Sequence, residues 1–510
     1  MVAMKRSVAL HDTARPMTDP THTPSRPPLL RAAVLLLVPL IGVALGGALC
    51  AHQEDPPDPD LRTIRPPGLA LPDEDATARP EPVDPREPAT DPSEAAEVAF
   101  HPIEDPSGRA LEPVFEKLRR IEAGEPGVKL RVIHYGDSHI AADFWSGRLR
   151  RLLQERFGDG GHGFMLPGKP WRSYRHRDVE NGVSSRRHWH AERARGRRGV
   201  EDGLYGLGGV TVWSQKPGAS AWVETVGGDP EAIGGRVSLF EVYYLNQPRG
   251  GELDVLIDGE RVGRIATRAK RKAPGYARYE VPEGPHRLEL KARGRAQARL
   301  FGVVMERAGA SGVVYDSVGI NGARASTTGA WDVALWQAHL AHRAPDLIVT
   351  TYGTNEAASN ISGERQTREL RRTLKTMREA APEAACLVLA PPDYARKLKR
   401  SATPSPEARE RALLTNAAPD EVEYWETPDV LPELVEVERQ VAAEMGCAFW
   451  DTFSAMGGRG SIDRWAREGE ERRGGPDRIH LTIAGYRWVA EQIHGALMAA
   501  YAQTGAAPTP

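Results

Sequence analysis

The sequence predicts an α/β fold with a parallel sheet, into which an all-β sandwich is inserted. After residues 128 and 312, short apolar strands alternate with amphipathic helices, a pattern typical of a parallel sheet covered on both faces. Across residues 165–307, strands with period-two hydrophobicity alternate with Gly and Pro turns, which indicates a β-sandwich. We therefore expect an α/β domain in two parts, residues 94–164 and 308–502, on either side of this sandwich.

Composition is that of a soluble globular protein. Of the 510 residues, 40% are hydrophobic and 27% are charged, which excludes collagen-like, coiled-coil and multi-span membrane proteins. The 67 Lys and Arg nearly balance the 69 Asp and Glu, so there is no overall basic field to attract nucleic acid. Three cysteines are too few for a disulfide-rich scaffold or a Cys-based zinc site.

Residues 1–51 are typical of an export signal. A basic, polar stretch precedes an uncharged apolar run at residues 32–51, which is the order found in secretory signal peptides. The run is also long enough to cross a bilayer once as an uncleaved anchor, and these two interpretations stay open. A lipid-modified Cys50 is a weaker alternative, because Leu49 stands where lipoprotein signals carry a small residue.

Residues 52–93 form a Pro-rich and acidic stretch without aromatic residues. Such a composition cannot bury enough apolar surface to fold, so it predicts a disordered, extended linker. We expect an exported protein in the periplasm or cell envelope, released or held by a single inner-membrane anchor.

The first strand of the α/β domain ends at a serine. Residues 130–135 predict a short apolar strand, residues 136–138 (Gly-Asp-Ser) a turn, and residues 142–157 an amphipathic helix that Gly158 ends. Ligands of open parallel sheets bind beyond the carboxyl ends of the strands, where Ser138 is placed. A helix N-terminus nearby would supply N–H donors to a developing oxyanion.

The same succession of strand and turn recurs downstream. Strands are predicted at residues 313–315, 347–349, 386–389 and 447–450. The first two lead into glycine-containing turns at residues 319–322 and 353–356, and a last helix carries apolar residues at helical spacing from residue 483 to 497.

Polar groups at these strand ends have the chemistry of nucleophilic catalysis. A serine hydroxyl attacks an ester only when a base takes its proton. Asp477 lies three residues before His480, a spacing that lets the carboxylate orient the imidazole while His480 acts as base and then as acid. The Gly322 N–H and the Asn355 side-chain amide are placed to stabilise the oxyanion.

Taken together, the blocks GDSH at 136–139, GING at 319–322, GTNE at 353–356 and DRIH at 477–480 resemble those of the SGNH/GDSL hydrolases. The resemblance implies a flavodoxin-like three-layer α/β/α sandwich and ester hydrolysis without metal or organic cofactor.

Carried over by motif, the resemblance makes Ser138 the nucleophile, His480 the base and Asp477 its partner. The oxyanion hole would be the Ser138 N–H, the Gly322 N–H and Asn355. Two positions depart from the common pattern, since His139 replaces a leucine and Glu356 an aspartate. Neither departure removes a catalytic group.

Within that family, the chain resembles bacterial peptidoglycan O-acetylesterases. The run at residues 136–153, the run at residues 301–323 and the separation of about 180 residues between Ser138 and Gly322 carry this resemblance. It implies an inserted sandwich similar to carbohydrate-binding modules and removal of O-acetyl groups from the C6 hydroxyl of N-acetylmuramic acid. The alternatives are an O-acyltransferase, an acetylesterase acting on another glycan, and a non-catalytic glycan-binding envelope protein.

Other residues have two interpretations each. The basic runs at 186–190 and 193–198 would bind an anionic glycan or peptide carboxylates, or form a solvated loop. His188 and His190 lack a third partner for a metal. Four aromatic residues of the sandwich either stack on sugars or fill its core, and their period-two placement favours the core; they are Trp213, Trp222, Tyr243 and Tyr244.

Two further interpretations concern the predicted parallel sheet. His134 lies on the first strand and is predicted to be a packed core residue. Cys386 and Cys447 are placed on strands that we expect to be near neighbours. Free buried thiols are the default interpretation, and a disulfide is the alternative in an oxidising compartment.

Overall fold

The computed structural model describes residues 100–171, 174–194, 200–227, 232–401 and 421–505, all within one structural unit. The predicted export segment (1–51), the linker (52–93), residues 94–99 and the end of the second basic run (195–198) lie outside the described residues. In the part of the chain that is described, no helix is long and apolar enough to span a bilayer.

Strands account for much of this part of the chain. In chain order they are β1 (Lys129–Gly136), β2 (Gly163–Met165), β3 (Val179–Val183), β4 (His190–Arg193), β5 (Val210–Ser214), β6 (Ser220–Thr225), β7 (Val237–Asn246), β8 (Glu252–Ile257), β9 (Glu260–Ala266), β10 (Ala273–Gly284), β11 (Arg287–Ala292), β12 (Ala298–Glu306), β13 (Gly312–Gly319), β14 (Leu347–Thr351), β15 (Ala385–Leu389), β16 (Arg396–Ser401), β17 (Glu421–Glu426) and β18 (Ala448–Trp450).

Helices lie before and after β1 and again from residue 333 onward. They are α1 (Glu112–Glu122), α2 (Ser138–Ala141), α3 (Trp145–Phe157), α4 (Val333–Arg343), α5 (Thr354–Ala358), α6 (Gly363–Ala380), α7 (Val430–Glu444), α8 (Thr452–Ala455), α9 (Ser461–Arg467) and α10 (Ile483–Gly505), with a 3-10 helix at Ala325–Ala330.

Five parallel strands form the sheet of the α/β domain, in the order β13-β1-β14-β15-β18. The register aligns the ends of three neighbouring strands, β13, β1 and β14, because Gly136 pairs with both Gly319 and Thr351. Consequently the turns that follow these strands emerge side by side at one edge of the sheet. The predicted parallel sheet is confirmed.

Both faces of this sheet are covered, which makes three layers. Alternate residues of β1 enter different cores, since Leu130 and Val132 pack in one cluster with α1, α3 and α10. Ile133 and Tyr135 pack in the other, with α4, α6 and α7. Burial on both faces explains why the strand sequences are continuously apolar rather than alternating.

The antiparallel region between α3 and β13 contains two sheets. One has the order β10-β7-β12-β5-β4, with β2 also paired to β12, and the other has the order β3-β6-β11-β8-β9. The predicted additional β domain is therefore present. Its core is continuous with the α4 face of the parallel sheet.

The four aromatic residues of this region differ in burial. Tyr243 is fully buried in the core, as predicted. Trp213, Trp222 and Tyr244 are only half-buried. The core interpretation therefore holds for Tyr243 and is incomplete for the other three.

Cys386 and Cys447 form a disulfide, so the default interpretation as free thiols is wrong. β15 is hydrogen-bonded to β18, and Cys447 directly precedes β18. This pairing brings the two Cα atoms to 4.6 Å, within the range that a disulfide requires.

Candidate active site

The turn after β1 places Ser138 at the start of a short helix. The Asp137 carboxylate accepts a hydrogen bond from the His139 N–H (2.9 Å) and so caps α2. Gly136 has to be glycine, because a Cβ there would lie 2.4 Å from Cγ1 of Ile140. The sharp turn therefore depends on residues adjacent to the serine.

The structure brings the three predicted triad residues together. The Ser138 hydroxyl lies 2.9 Å from His480 Nε2, and His480 Nδ1 lies 2.7 Å from Asp477 Oδ2. The other oxygen of Asp477 accepts the backbone N–H groups of Ile479 and His480, both at 3.0 Å. Because that carboxylate is held by the main chain, the imidazole is oriented before substrate binds.

The charges around His480 favour its role in proton transfer. Burial disfavours the charged forms of both Asp477 and His480, but their mutual hydrogen bond and attraction outweigh it. The pKa of Asp477 is lowered to about 2, whereas the pKa of His480 is raised above its ordinary value. The pair is thus an ionised carboxylate beside a strengthened base.

Three N–H donors surround the position where an oxyanion would develop. Among the described residues, neither the Ser138 N–H nor the Gly322 N–H has a hydrogen-bond partner. The Asn355 side-chain amide lies between their two turns, and it donates to the Asp137 carboxylate (3.2 Å) and to the Ala323 carbonyl (3.0 Å). Asn355 can therefore serve an oxyanion only by releasing one of these bonds.

Glycines keep this side of the site open. Gly319 allows the end of β13 to approach α2, since a Cβ would lie 2.3 Å from the Ala141 nitrogen. Gly322 is exposed and adopts a φ of +76°, with no atom within 4 Å of the position that a Cβ would take. Its N–H is thus accessible to a ligand.

A model of the GDSL-like lipase and acylhydrolase family matches residues 279–488, which include the second, third and fourth sequence blocks. A solved structure of a peptidoglycan O-acetylesterase in action has a TM-score of 0.60 and 23% identity, and the match covers 79% of this chain and 99% of that chain. Residues 279–488 are thus similar to the GDSL-like acylhydrolases, and most of the chain shares the fold of that esterase.

Other solved structures resemble this chain more weakly. An active-site mutant of a family two carbohydrate esterase from Clostridium thermocellum is 10% identical with a TM-score of 0.24, over 55% of this chain and 94% of that chain. A family two carbohydrate esterase from Cellvibrio japonicus is 12% identical with a TM-score of 0.24, over 64% of this chain and 98% of that chain. No curated protein sequence matches this chain.

Glu356, which stands where the resembling family has an aspartate, joins two loops near the site. Its carboxylate accepts the Gly353 N–H (3.0 Å) and the Ala325 N–H (2.8 Å). The side chain thereby ties the turn after β14 to the segment that follows Gly322. The sequence identified this position as a departure without revealing its role.

Two further carboxyl groups near the oxyanion donors, those of Asp137 and Glu438, are buried. Burial raises the pKa of Asp137 to about 7, against the hydrogen bond from His139. Burial, reinforced by the charges of Glu356 and Asp137, also raises the pKa of Glu438. The Glu438 carboxylate accepts the Gln366 amide at 2.8 Å. Sequence analysis missed Glu438, because a single acid on an amphipathic helix carries no motif.

His139, the other departure from the pattern of the resembling family, packs beside the imidazole of His480. Its ring centroid lies 5.5 Å from that of His480, and its Nδ1 lies 3.0 Å from the Tyr486 hydroxyl. Burial, followed by the charge of His480, lowers the pKa of His139 to about 3. A neutral ring therefore packs against His480 and adds no competing charge.

The other candidate residues from the sequence make contacts with residues outside the triad. His134 is a buried core residue, as predicted, and its ring nitrogens contact the Tyr315 and Thr351 hydroxyls at 2.9 and 2.7 Å. His190 stacks on Trp213. The structure, where it is described, contains no group of three or more His, Cys, Asp or Glu that could hold a metal ion.

Proposed function

We propose that this protein is a serine esterase of the SGNH/GDSL type that removes O-acetyl groups from a cell-envelope polysaccharide, namely peptidoglycan at the C6 hydroxyl of N-acetylmuramic acid. The observation that carries this proposal is the aligned Ser138–His480–Asp477 arrangement. It occurs in a chain whose match extends over 99% of a solved peptidoglycan O-acetylesterase. The antiparallel sheets beside the site supply additional surface for a polymeric glycan.

The geometry supports a two-step acyl transfer. His480 Nε2 takes the proton of Ser138 as Oγ attacks the acetyl carbonyl, and the N–H groups of Ser138 and Gly322 stabilise the oxyanion, joined by Asn355. Collapse expels the sugar oxygen, which receives the proton from His480. A water molecule, deprotonated by His480, then attacks the acetyl-enzyme and releases acetate.

We further propose that the esterase acts after export, in the periplasm or cell envelope. The basic and apolar pattern of residues 1–51 supports export. The Cys386–Cys447 disulfide adds support, because such bonds persist mainly in oxidising compartments. Fractionation of cells that express the full chain tests this, and recovery of the oxidised protein only from cytosol would contradict it.

Acetate release from O-acetylated peptidoglycan and from O-acetylated xylan is the experiment that tests the substrate. We expect release from peptidoglycan at a higher kcat/KM, with Ser138→Ala as the inactive control. Preference for xylan would assign the enzyme to another glycan. Acetyl transfer to an added glycan at the expense of free acetate would make it an acyltransferase, and glycan binding without release would make it a binding protein.

A further inference from the structure

A segment after β2 presents two arginines on one side. Tyr174 and His176 are buried, whereas Arg175 and Arg177 alternate with them and are exposed. The Tyr174 hydroxyl accepts the Leu166 N–H at 2.8 Å and fixes the inward side of the segment. The alternation turns both guanidinium groups outward, and neither belongs to the basic runs recognised in the sequence.

The main chain beneath these arginines is held by a buried ion pair. Arg150 and Asp143 are both fully buried and lie 2.8 Å apart. The Asp143 carboxylate accepts the Arg177 N–H (2.8 Å), and the Arg150 guanidinium donates to the Arg177 carbonyl (2.9 Å). The main chain at Arg177 is thus fixed by buried groups of the fold, and the segment is not a freely solvated loop.

Phe144 connects the arginines to the catalytic side chains. The guanidinium carbons of Arg175 and Arg177 each lie 5.6 Å from the centroid of its ring, within cation–π distance. The Phe144 ring also stacks on Tyr486, with centroids 6.1 Å apart and planes at 13°. Tyr486 in turn contacts His139, the residue that follows Ser138.

No nearby carboxylate neutralises these two charges. Among the described residues, neither Arg175 nor Arg177 has a carboxylate oxygen within 4.0 Å. The carboxylates of Asp143 and Asp178 are instead bound by Arg150 and, for Asp178, also by Arg151. Two uncompensated guanidinium groups therefore face solvent beside an aromatic ring.

Other cations act on the same surface. Burial lowers the pKa of Lys169, and the positive charges of Arg186 and Arg175 lower it further. The negative charge of Glu180 opposes this shift. The positive charge near this segment is therefore not confined to Arg175 and Arg177.

We propose that Phe144, Arg175 and Arg177 form a subsite that binds a substrate carboxylate and selects acidic glycans over neutral ones. This proposal rests on the proposed function, in which the glycan carries a peptide. A guanidinium fork pairs with a carboxylate through two parallel hydrogen bonds, and the adjacent ring contributes an apolar wall to a peptide or sugar. The three residues determine specificity, and they take no part in the chemical step.

The separation between Phe144 and the catalytic imidazole suits a carboxylate of the stem peptide. Three successive ring contacts join Phe144 to His480, with centroid separations of 6.1, 5.9 and 5.5 Å, and the direct distance is no longer than these steps together. An extended peptide of three to five residues reaches about 10 to 17 Å and spans this range. We therefore assign the carboxylate to the stem peptide.

The test compares the wild-type protein with Arg175→Gln/Arg177→Gln. The control is Arg268→Gln/Arg271→Gln, which removes the same charge from exposed positions between β9 and β10. On O-acetylated peptidoglycan fragments that carry stem peptides, we expect the subsite variant to raise KM by about tenfold or more with kcat nearly unchanged. Fragments stripped of peptide, O-acetylated xylan and 4-nitrophenyl acetate are expected to show no change.

A second measurement separates this proposal from the proposed function. Unacetylated muropeptide is tested as an inhibitor of 4-nitrophenyl acetate hydrolysis, which does not require peptidoglycan to be the substrate. We expect its inhibition constant to rise about tenfold in the subsite variant, and to rise in the wild type when salt screens the charges. Equal inhibition constants for the subsite and control variants would overturn the subsite. A KM that rises equally on peptide-free fragments would reassign the carboxylate to the sugar and overturn the peptide assignment.

Discussion

The two sides of the active site differ in how complete they are. On the triad side, Ser138, His480 and Asp477 form an unbroken hydrogen-bonded chain. On the oxyanion side, two backbone donors are open, whereas both amide hydrogens of Asn355 are used by Asp137 and Ala323. The proton-transfer machinery is therefore assembled in advance, and the third oxyanion donor has to exchange a protein acceptor for the substrate.

The triad side is more complete than the oxyanion side because the residues of the two sides come from different numbers of chain segments. Asp477 and His480 belong to one short loop, and backbone hydrogen bonds to Asp477 fix their geometry locally. The oxyanion donors come from turns after three different strands, which only the register of the sheet aligns. Local constraints thus complete one side, while the other depends on contacts between distant segments.

Replacing Ser138 by alanine should have the largest effect. Loss of the nucleophile removes the triad as a unit, so we expect kcat to fall by up to about 10⁶-fold. Acetate release by the purified variant measures this, with circular dichroism as the control for folding. Near-normal turnover would mean that Ser138 is not the nucleophile and that the triad is not the reaction centre.

Asp477→Asn should have the second largest effect, with kcat lower by about 10⁴-fold at neutral pH. It also has a signature in the pH profile. In the wild type, activity falls as the pH drops through the raised pKa of His480, because the protonated ring cannot act as a base. Without the carboxylate the pKa of His480 falls, so the acid limb of kcat/KM should move to lower pH. An acid limb that stays in place would show that Asp477 does not control the base.

Asn355→Ala tests whether the Asn355 amide becomes the third hydrogen-bond donor to the oxyanion. If Asn355 releases an acceptor and binds the oxyanion, kcat should fall by about 10²–10³-fold with little change in KM. The pH profile should keep its shape, because His480 and Asp477 are untouched. An unchanged kcat would remove Asn355 from the oxyanion hole and leave its amide as a structural link between Asp137 and Ala323.

The sequence predicts which residues at the strand ends are functional, but it does not predict the contacts between them. Ser138, His480 and Asp477 were predicted from short motifs, and the structure brings them within hydrogen-bond distance. The competing bonds of Asn355 could not be predicted, because they depend on where the turn after β13 lies relative to β1. The sequence also favours free thiols at Cys386 and Cys447 wrongly, because the expected nearness of their strands does not give the geometry that a disulfide requires. Such contacts are set by tertiary packing rather than by local pattern.

Glu356→Asp should give the smallest effect on activity. It tests whether the loop contacts of Glu356 affect kcat or only the stability of the fold. One methylene less prevents the carboxylate from reaching both the Gly353 and Ala325 N–H groups, and an unpaired buried donor costs about 1–3 kcal/mol. We expect a lower melting temperature and about a tenfold lower kcat as the Gly322 segment loosens, with the acid limb unchanged. Glu364→Asp, at an exposed position of α6, is the matched control. A wild-type kcat together with a lowered melting temperature would limit Glu356 to stability, and the oxyanion side would then tolerate more movement than its bonding indicates.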